Sequence, residues 1–179
     1  MLEGQWGKVG NRPLSLAAPL HNPPPAVAGF KGQAENSIDG KGRMPVPAKM
    51  RKGLSPDAKE TFVATRGEAE FVVLYPLDFW EEEIEPRLRR LNTFSQEERV
   101  FVRRLYMWAD EVTMDSQGRV AIPKQLAEFA GLAPGGKGLV IGALDRLEVW
   151  NPETFERHLN AQDEAYEDLA ERIMTSPLA

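Results

Sequence analysis

The sequence predicts an α+β fold assembled from two tandem copies of one unit, and three observations carry that prediction. The first is internal repetition. Displaced by 76 residues, the chain aligns Asp39 with Asp115, Gly42 with Gly118, Arg43 with Arg119, Val46 with Ile122 and Pro47 with Pro123. The same displacement then sets Phe71 against Leu147, Val73 against Val149, Pro76 against Pro152 and Phe79 against Phe155. One register kept through a turn, a strand and a helix start marks duplication rather than chance. The second observation is alternation of apolar residues around each match, the period of a half-buried strand. The third is punctuation by proline and glycine at matching places, which divides each copy into short strands and helices.

Residues 1–29 stand outside the repeat. Pro13, Pro19 and Pro23–Pro25 lie among small residues with almost no periodicity, and a disordered extension is expected there. The first copy, 30–104, opens with a short strand and the turn in NSIDGKGRMPVPAKM. Pro45 removes a ladder donor, which places it where its amide would face away from a neighbouring strand. Pro47 and Gly53 bracket a very short helix that carries Met50 inward. TFVAT and EFVVLY read as two further strands, and Pro76 starts a helix that Pro86 limits or kinks. Ser95 and Glu98 form an S-x-x-E capping box opening a spacer helix that reaches about Trp108.

The second copy, 105–160, repeats the plan. In VTMDSQGRVAIPKQL, Val120 and Ile122 face one way and Arg119 and Ala121 the other, so Arg119 points away from the core. Pro123 suits the first helical position and Gly131 the stop, about two turns later. KGLVIG and RLEVWN are the matching strands, and Pro152 starts the last helix of the copy. Residues 161–179 form an acidic, helix-compatible tail with Ala165, Leu169 and Ile173 near one stripe. Trp80, Trp108 and Trp150 sit in apolar settings and are assigned to packing.

Composition narrows the function. The chain has no cysteine, and its two histidines, His21 and His158, are far apart, so neither a disulfide framework nor a metal centre is expected. No apolar run approaches the roughly 18 residues of a membrane span, and the first 29 residues lack the blocks of a signal peptide, so a cytoplasmic protein is expected. The net charge of -5 is unevenly placed. Residues 151–179 hold seven acids and two bases, whereas residues 30–54 hold six bases and two acids. A local basic patch surrounds the first turn.

The turns carry the chemistry. Asp39 and Asp115 are suited to accept backbone N–H bonds within each turn, Gly42 and Gly118 to adopt a positive φ, and Arg43 and Arg119 to leave the turn at a set angle. A single copy asks for no more than a stabilised hairpin with a local ion pair. Two equivalent copies present two planar guanidinium forks in related positions, a geometry suited to phosphates or guanine edges of duplex DNA. Lys41 adds charge to the first turn where the second has Gln117, which suggests a stronger attraction at the first.

GLAPGGKG imitates a phosphate-binding loop, but Gly138 stands where Ser or Thr is needed, and the string follows a helix and enters a strand. No carboxylate pair is set up for acid–base work, and neither an enzyme nor a cofactor is expected.

From about Phe30 to Met174 the chain resembles the MraZ family of bacterial transcriptional regulators, built from two tandem SpoVT-AbrB halves. FKGQAENSIDGKGRMPVPAKMRKGL, LYPLDFWEEEIEP, ERVFVRRLYMWADEVTMDSQGRVAIPKQLAEFAGL and GALDRLEVWNPETFERHL carry the resemblance. It implies a pseudo-two-fold, swapped-hairpin AbrB-like β-barrel flanked by helices, assembled into a ring-shaped homo-oligomer at the nucleoid. It further implies binding to short direct repeats in the promoter of the division and cell-wall gene cluster, including its own. Carried over by residue, Arg43 and Arg119 would contact DNA with Lys41 in support, and Asp39, Gly42, Asp115 and Gly118 would shape the turns. Two other classes stay open: an AbrB-like antitoxin or interaction module whose acidic tail grips a basic partner, and, behind it, a barrel-fold enzyme.

Overall fold

The computed structural model describes residues 29–161 and 165–175. Apart from Gly29, the extension expected over 1–29 lies outside the described residues, as do 162–164 and 176–179 of the tail.

The first copy runs β1 (Phe30–Ser37), β2 (Arg43–Pro45), α1 (Ala48–Arg51), a single 3₁₀ turn (Pro56–Ala58), β3 (Thr61–Arg66) and β4 (Phe71–Pro76). A helical stretch follows in three pieces: α2 (Leu77–Phe79), a π-helical segment (Trp80–Ile84) and α3 (Glu85–Arg89). The spacer helix α4 (Gln96–Tyr106) leads into the second copy, which comprises β5 (Asp110–Thr113), β6 (Arg119–Ala121), α5 (Lys124–Phe129), β7 (Lys137–Leu144), β8 (Arg146–Trp150) and α6 (Pro152–Asn160). Helix α7 (Tyr166–Thr175) ends the described chain.

All strand pairs are antiparallel, and the main sheet has the order β1-β7-β8-β4-β3-β5. Exchanging the two copies reverses this order and leaves it otherwise unchanged. The sheet therefore obeys a pseudo-two-fold axis. Each copy sends its first strand to the other copy: β1 pairs with β7, and β5 with β3. Strands β2 and β6 form a separate two-stranded ribbon in which Met44 lies opposite Val120, its own repeat equivalent. The axis passes between those two side chains, both fully buried.

The ladders do not close into the barrel expected above. Val46 N–H donates to Gly118 O and Ile122 N–H to Gly42 O across the ribbon, so by alternation the amides of residues 43 and 45 face away from it. Arg43 N–H is taken by Asp39, and Pro45 has none to give. The outer edge of β2 thus offers β1 no ladder, and the result is an open six-stranded sheet with a ribbon beside it.

Alternation puts apolar side chains on both faces of the central strands. Val72, Leu74, Leu147 and Val149 join the main core with Met44, Val46, Met50, Val120, Ile122 and Leu126. Phe71, Val73 and Trp150 turn to the opposite face, where the Trp150 ring stacks on Phe71 at 4.2 Å and meets Phe155 of α6 at 5.3 Å. Trp80 is buried against Tyr75, and Trp108 packs on Phe129 beneath the guanidinium of Arg66.

Some local expectations shift. Pro123 is not the first helical residue of α5. With ψ at 133° it is the extended residue before it, and Pro47 and Pro76 do the same for α1 and α2. Pro152 does sit at the helix start, behind an Asn151 cap that accepts from Glu153 N and Thr154 N. Pro86 is accommodated by the π-helical segment upstream, which relieves the i−4 contact with Glu82 that an interior proline otherwise makes. Only half of the capping box forms. Ser95 Oγ accepts from Glu98 N, but the Glu98 carboxylate accepts from Asn92 N, because Ser95 N–H already donates to Asn92 O. In α7, Leu169 and Ala170 are half-buried while Ala165 and Ile173 are exposed.

Candidate functional site

The two Asp-x-x-Gly-Arg turns repeat one another bond for bond. Asp39 N–H donates to Arg43 O at 2.9 Å, and Asp115 N–H to Arg119 O at 2.8 Å. Gly42 N–H closes onto Asp39 O at 3.0 Å, and Gly118 N–H onto Asp115 O at 2.8 Å. In each turn one carboxylate oxygen, Oδ1, accepts two backbone amides: Lys41 and Arg43 in the first, Gln117 and Arg119 in the second. Gly42 and Gly118 have φ of 74° and 72°, the left-handed region that a side chain makes costly. The aspartates' remaining oxygens, Oδ2, hold the arginines, with Nε to Oδ2 at 2.8 Å in the first turn and 2.9 Å in the second.

The pseudo-two-fold axis brings these turns side by side. Arg43 Nη1 comes within 3.8 Å of Asp115 Oδ2, and Arg119 Nη1 within 3.5 Å of Asp39 Oδ2. Two aspartates and two arginines thus form one crossed cluster, with the arginine side chains 32% and 23% exposed. Hydrogen bonds within each turn depress both carboxyls. Asp115 is held down to about 2, first by the side-chain hydrogen bonds of Arg119 and then by its backbone N–H. Asp39 is lowered chiefly by the Arg43 backbone N–H. Each arginine spends Nε and one Nη2 bond on its own aspartate, while its Nη1 lies at or beyond hydrogen-bond length from the facing one. The fork therefore keeps donors for an incoming acceptor.

The cluster as a whole is neutral, so attraction for a polyanion must come from the cations around it. Lys41 is exposed on the first turn, opposite the exposed Gln117 of the second. Arg51, in sequence only one cation of the basic patch around the first turn, lies over the second turn. A Cβ built on Gly118 would stand 2.7 Å from Arg51 Cζ and 3.0 Å from its Cδ. The repeat equivalent of Arg51 is Ala127, which leaves beside the first turn a cleft of about 550 Å³ lined by Gly42, Ile122, Ala127 and Leu132 with the exposed Lys41 and Lys124. The comparison of residues 51 and 127 at the repeat offset was the available signal.

The phosphate-loop mimic is a helix stop and strand entry. Gly131 follows α5 with φ 62°, and Lys137 opens β7 paired with Glu35. Among the described residues no three His, Cys, Asp or Glu side chains gather as a metal site, and no helix is long and apolar enough to cross a membrane.

Fold and site together define a tandem-repeat α+β protein whose two Asp–Arg turns meet at an internal pseudo-two-fold axis. The family described as "MraZ protein, putative antitoxin-like" matches this chain twice, over residues 30–104 and 105–176. The chain is also 34% identical over 145 residues to a protein of Natranaerobius thermophilus named "Transcriptional regulator MraZ", an alignment covering 81% of this chain and 96% of that protein. The chain belongs to the MraZ family.

Proposed function

We propose that this protein is a sequence-specific DNA-binding transcriptional regulator. The observation that carries the reading is the crossed cluster: two superposable turns, each offering a guanidinium of fixed direction, set side by side at the axis. A pair of forks so oriented suits successive acceptors along a duplex, either base edges or phosphates. The MraZ relative's name supports transcription as the setting. Arg43 and Arg119 are the contacting residues, Lys41 assists, and Asp39, Gly42, Asp115 and Gly118 hold the turns.

The target on this reading is a set of short direct repeats in the promoter of the division and cell-wall cluster, including the protein's own, bound at the nucleoid by a ring of identical chains. A ring answers a physical need. One protomer makes few phosphate contacts, and linking several raises their effective concentration on a repeated target. Exposed Phe101, Tyr106 and Met107, on and just beyond α4, supply apolar surface for such assembly.

Footprinting the pure protein on its own upstream DNA, with light scattering on the same sample, tests this reading. A protected array of short repeats bound by a homo-oligomer is expected, with Arg43→Ala and Arg119→Ala folding and assembling normally but binding at least tenfold more weakly. A monomer that protects no DNA would overturn the proposal and return the antitoxin-like reading to the front.

A further inference from the structure

Direct repeats pose a problem for a symmetric reader. A domain with a perfect two-fold axis presents the same face to DNA in either orientation, so it distinguishes no direction along the duplex. Here the central cluster is symmetric in every bond. Its flanks are not. Helix α1 carries Lys49 and Arg51, with Lys52 just beyond, and lies beside the second turn; α5 carries Lys124 paired with Glu128 at 3.7 Å and lies beside the first. The equivalents of Arg51 and Lys52 in the second copy are Ala127 and Glu128. The helix next to the second turn is therefore strongly basic and the helix next to the first is neutral. This reverses the imbalance suggested by Lys41 and Gln117 alone.

Arg51 is the residue through which the difference reaches the site. It is exposed, it pairs with no carboxylate among the described residues, and its guanidinium occupies the space that a side chain at position 118 would need. At Gly42 the corresponding space is open, its nearest neighbour being Ile122 O at 4.0 Å. The first turn thus offers a lysine, a flexible point charge, beside an apolar cleft. The second offers a guanidinium fork lent across the axis, pre-organised for a phosphate.

We propose that Arg51, laid across the second turn without a counterpart at Ala127, makes the two turns unequal and gives the domain a fixed polarity on duplex DNA. The proposal rests on the DNA-binding reading above. Arg51 anchors a phosphate beside the second turn, and the first turn faces the opposite end of each repeat.

The absence of cysteine makes the test direct. Gly40 and Ser116 are equivalent, exposed turn-tip positions, and a Cβ at Gly40 meets nothing within 4 Å. Full-length Gly40→Cys and Ser116→Cys proteins, each tethered to an iron chelate that cleaves DNA, should cut opposite edges of every repeat, one edge per label. Introducing Arg51→Ala should weaken binding about five- to tenfold, lower the steepness of the salt dependence by about 0.9 for each phosphate no longer engaged, and let each label cut both edges. Arg51→Lys should keep one-sided cutting, and thermal melts establish that each variant is folded.

Two-sided cutting by both labels in the otherwise native protein overturns the polarity while leaving the DNA-binding reading intact. One-sided cutting that persists in the Arg51→Ala protein overturns the role of Arg51, whatever its affinity. A loss of affinity with an unchanged salt dependence shows Arg51 to be a structural brace and overturns it equally. Failure of every form, native included, to protect DNA removes the underlying reading and this inference with it.

Discussion

The turn at 39–43 and the turn at 115–119 agree in every internal hydrogen bond and differ in the charged side chains around them. Inside each turn an aspartate must satisfy two amides and orient one guanidinium, and few residue types can do that in five positions. Outside the turn no such demand exists. Arg51 and Ala127, and Lys52 and Glu128, have diverged there, as have Lys41 and Gln117 at the exposed turn tips, and the surface charge has diverged with them. Duplication supplied a symmetric scaffold, and substitution at its margin supplied direction.

Three pairs of substitutions break or sharpen this comparison, in decreasing order of expected effect. Met44 faces Val120 on the axis and is fully buried, so Met44→Ala should destabilise the fold by about 2–5 kcal/mol in denaturant unfolding. Val120→Ala should cost less, since it removes two buried heavy atoms where Met44→Ala removes three; a negligible cost for Met44→Ala would mean that the symmetric centre does not hold the copies together.

Gly42→Ala and Gly118→Ala come next. Both force alanine into the left-handed region and should each cost about 1–2 kcal/mol of stability. They should separate in DNA binding, because only a side chain at 118 displaces Arg51. Equal losses of affinity would contradict the asymmetry.

The smallest effect concerns acid. The folded-state pKa of Asp115 lies near 2, below the ordinary value of 3.8 that applies in the unfolded chain. Its stabilisation is therefore complete above about pH 4, and is lost as the pH falls through that value towards 2. Asp115→Asn abolishes this dependence, and its unfolding free energy should vary less than the parent's between pH 4 and 2. Asp39→Asn should show the same sense of change, its carboxyl being lowered as well. Parallel curves for parent and variants would show that the cluster does not couple to folding.

Much of this molecule was legible in one dimension. The duplication, the strands of each copy, the outward Arg119, the inward Met50 and the glycine stop at 131 follow from periods of two and 3.6 residues and from the conformational habits of glycine and proline. Where local reading slipped, the competing partner was a neighbour a few residues away: Asn92 took the amide that a full capping box needs, and the π-helical segment absorbed Pro86.

What the amino-acid sequence determined by itself is the repeating unit and its chemical inventory, because backbone preference and side-chain alternation act over a handful of residues. Only the tertiary structure decided that β1 leaves its own copy for β7, that β5 crosses to β3, that the ladders stay open, and that Arg51 lies over the turn of the other repeat. Strand partners and cross-repeat contacts are set by which apolar faces can be buried together, and that choice belongs to the whole chain at once.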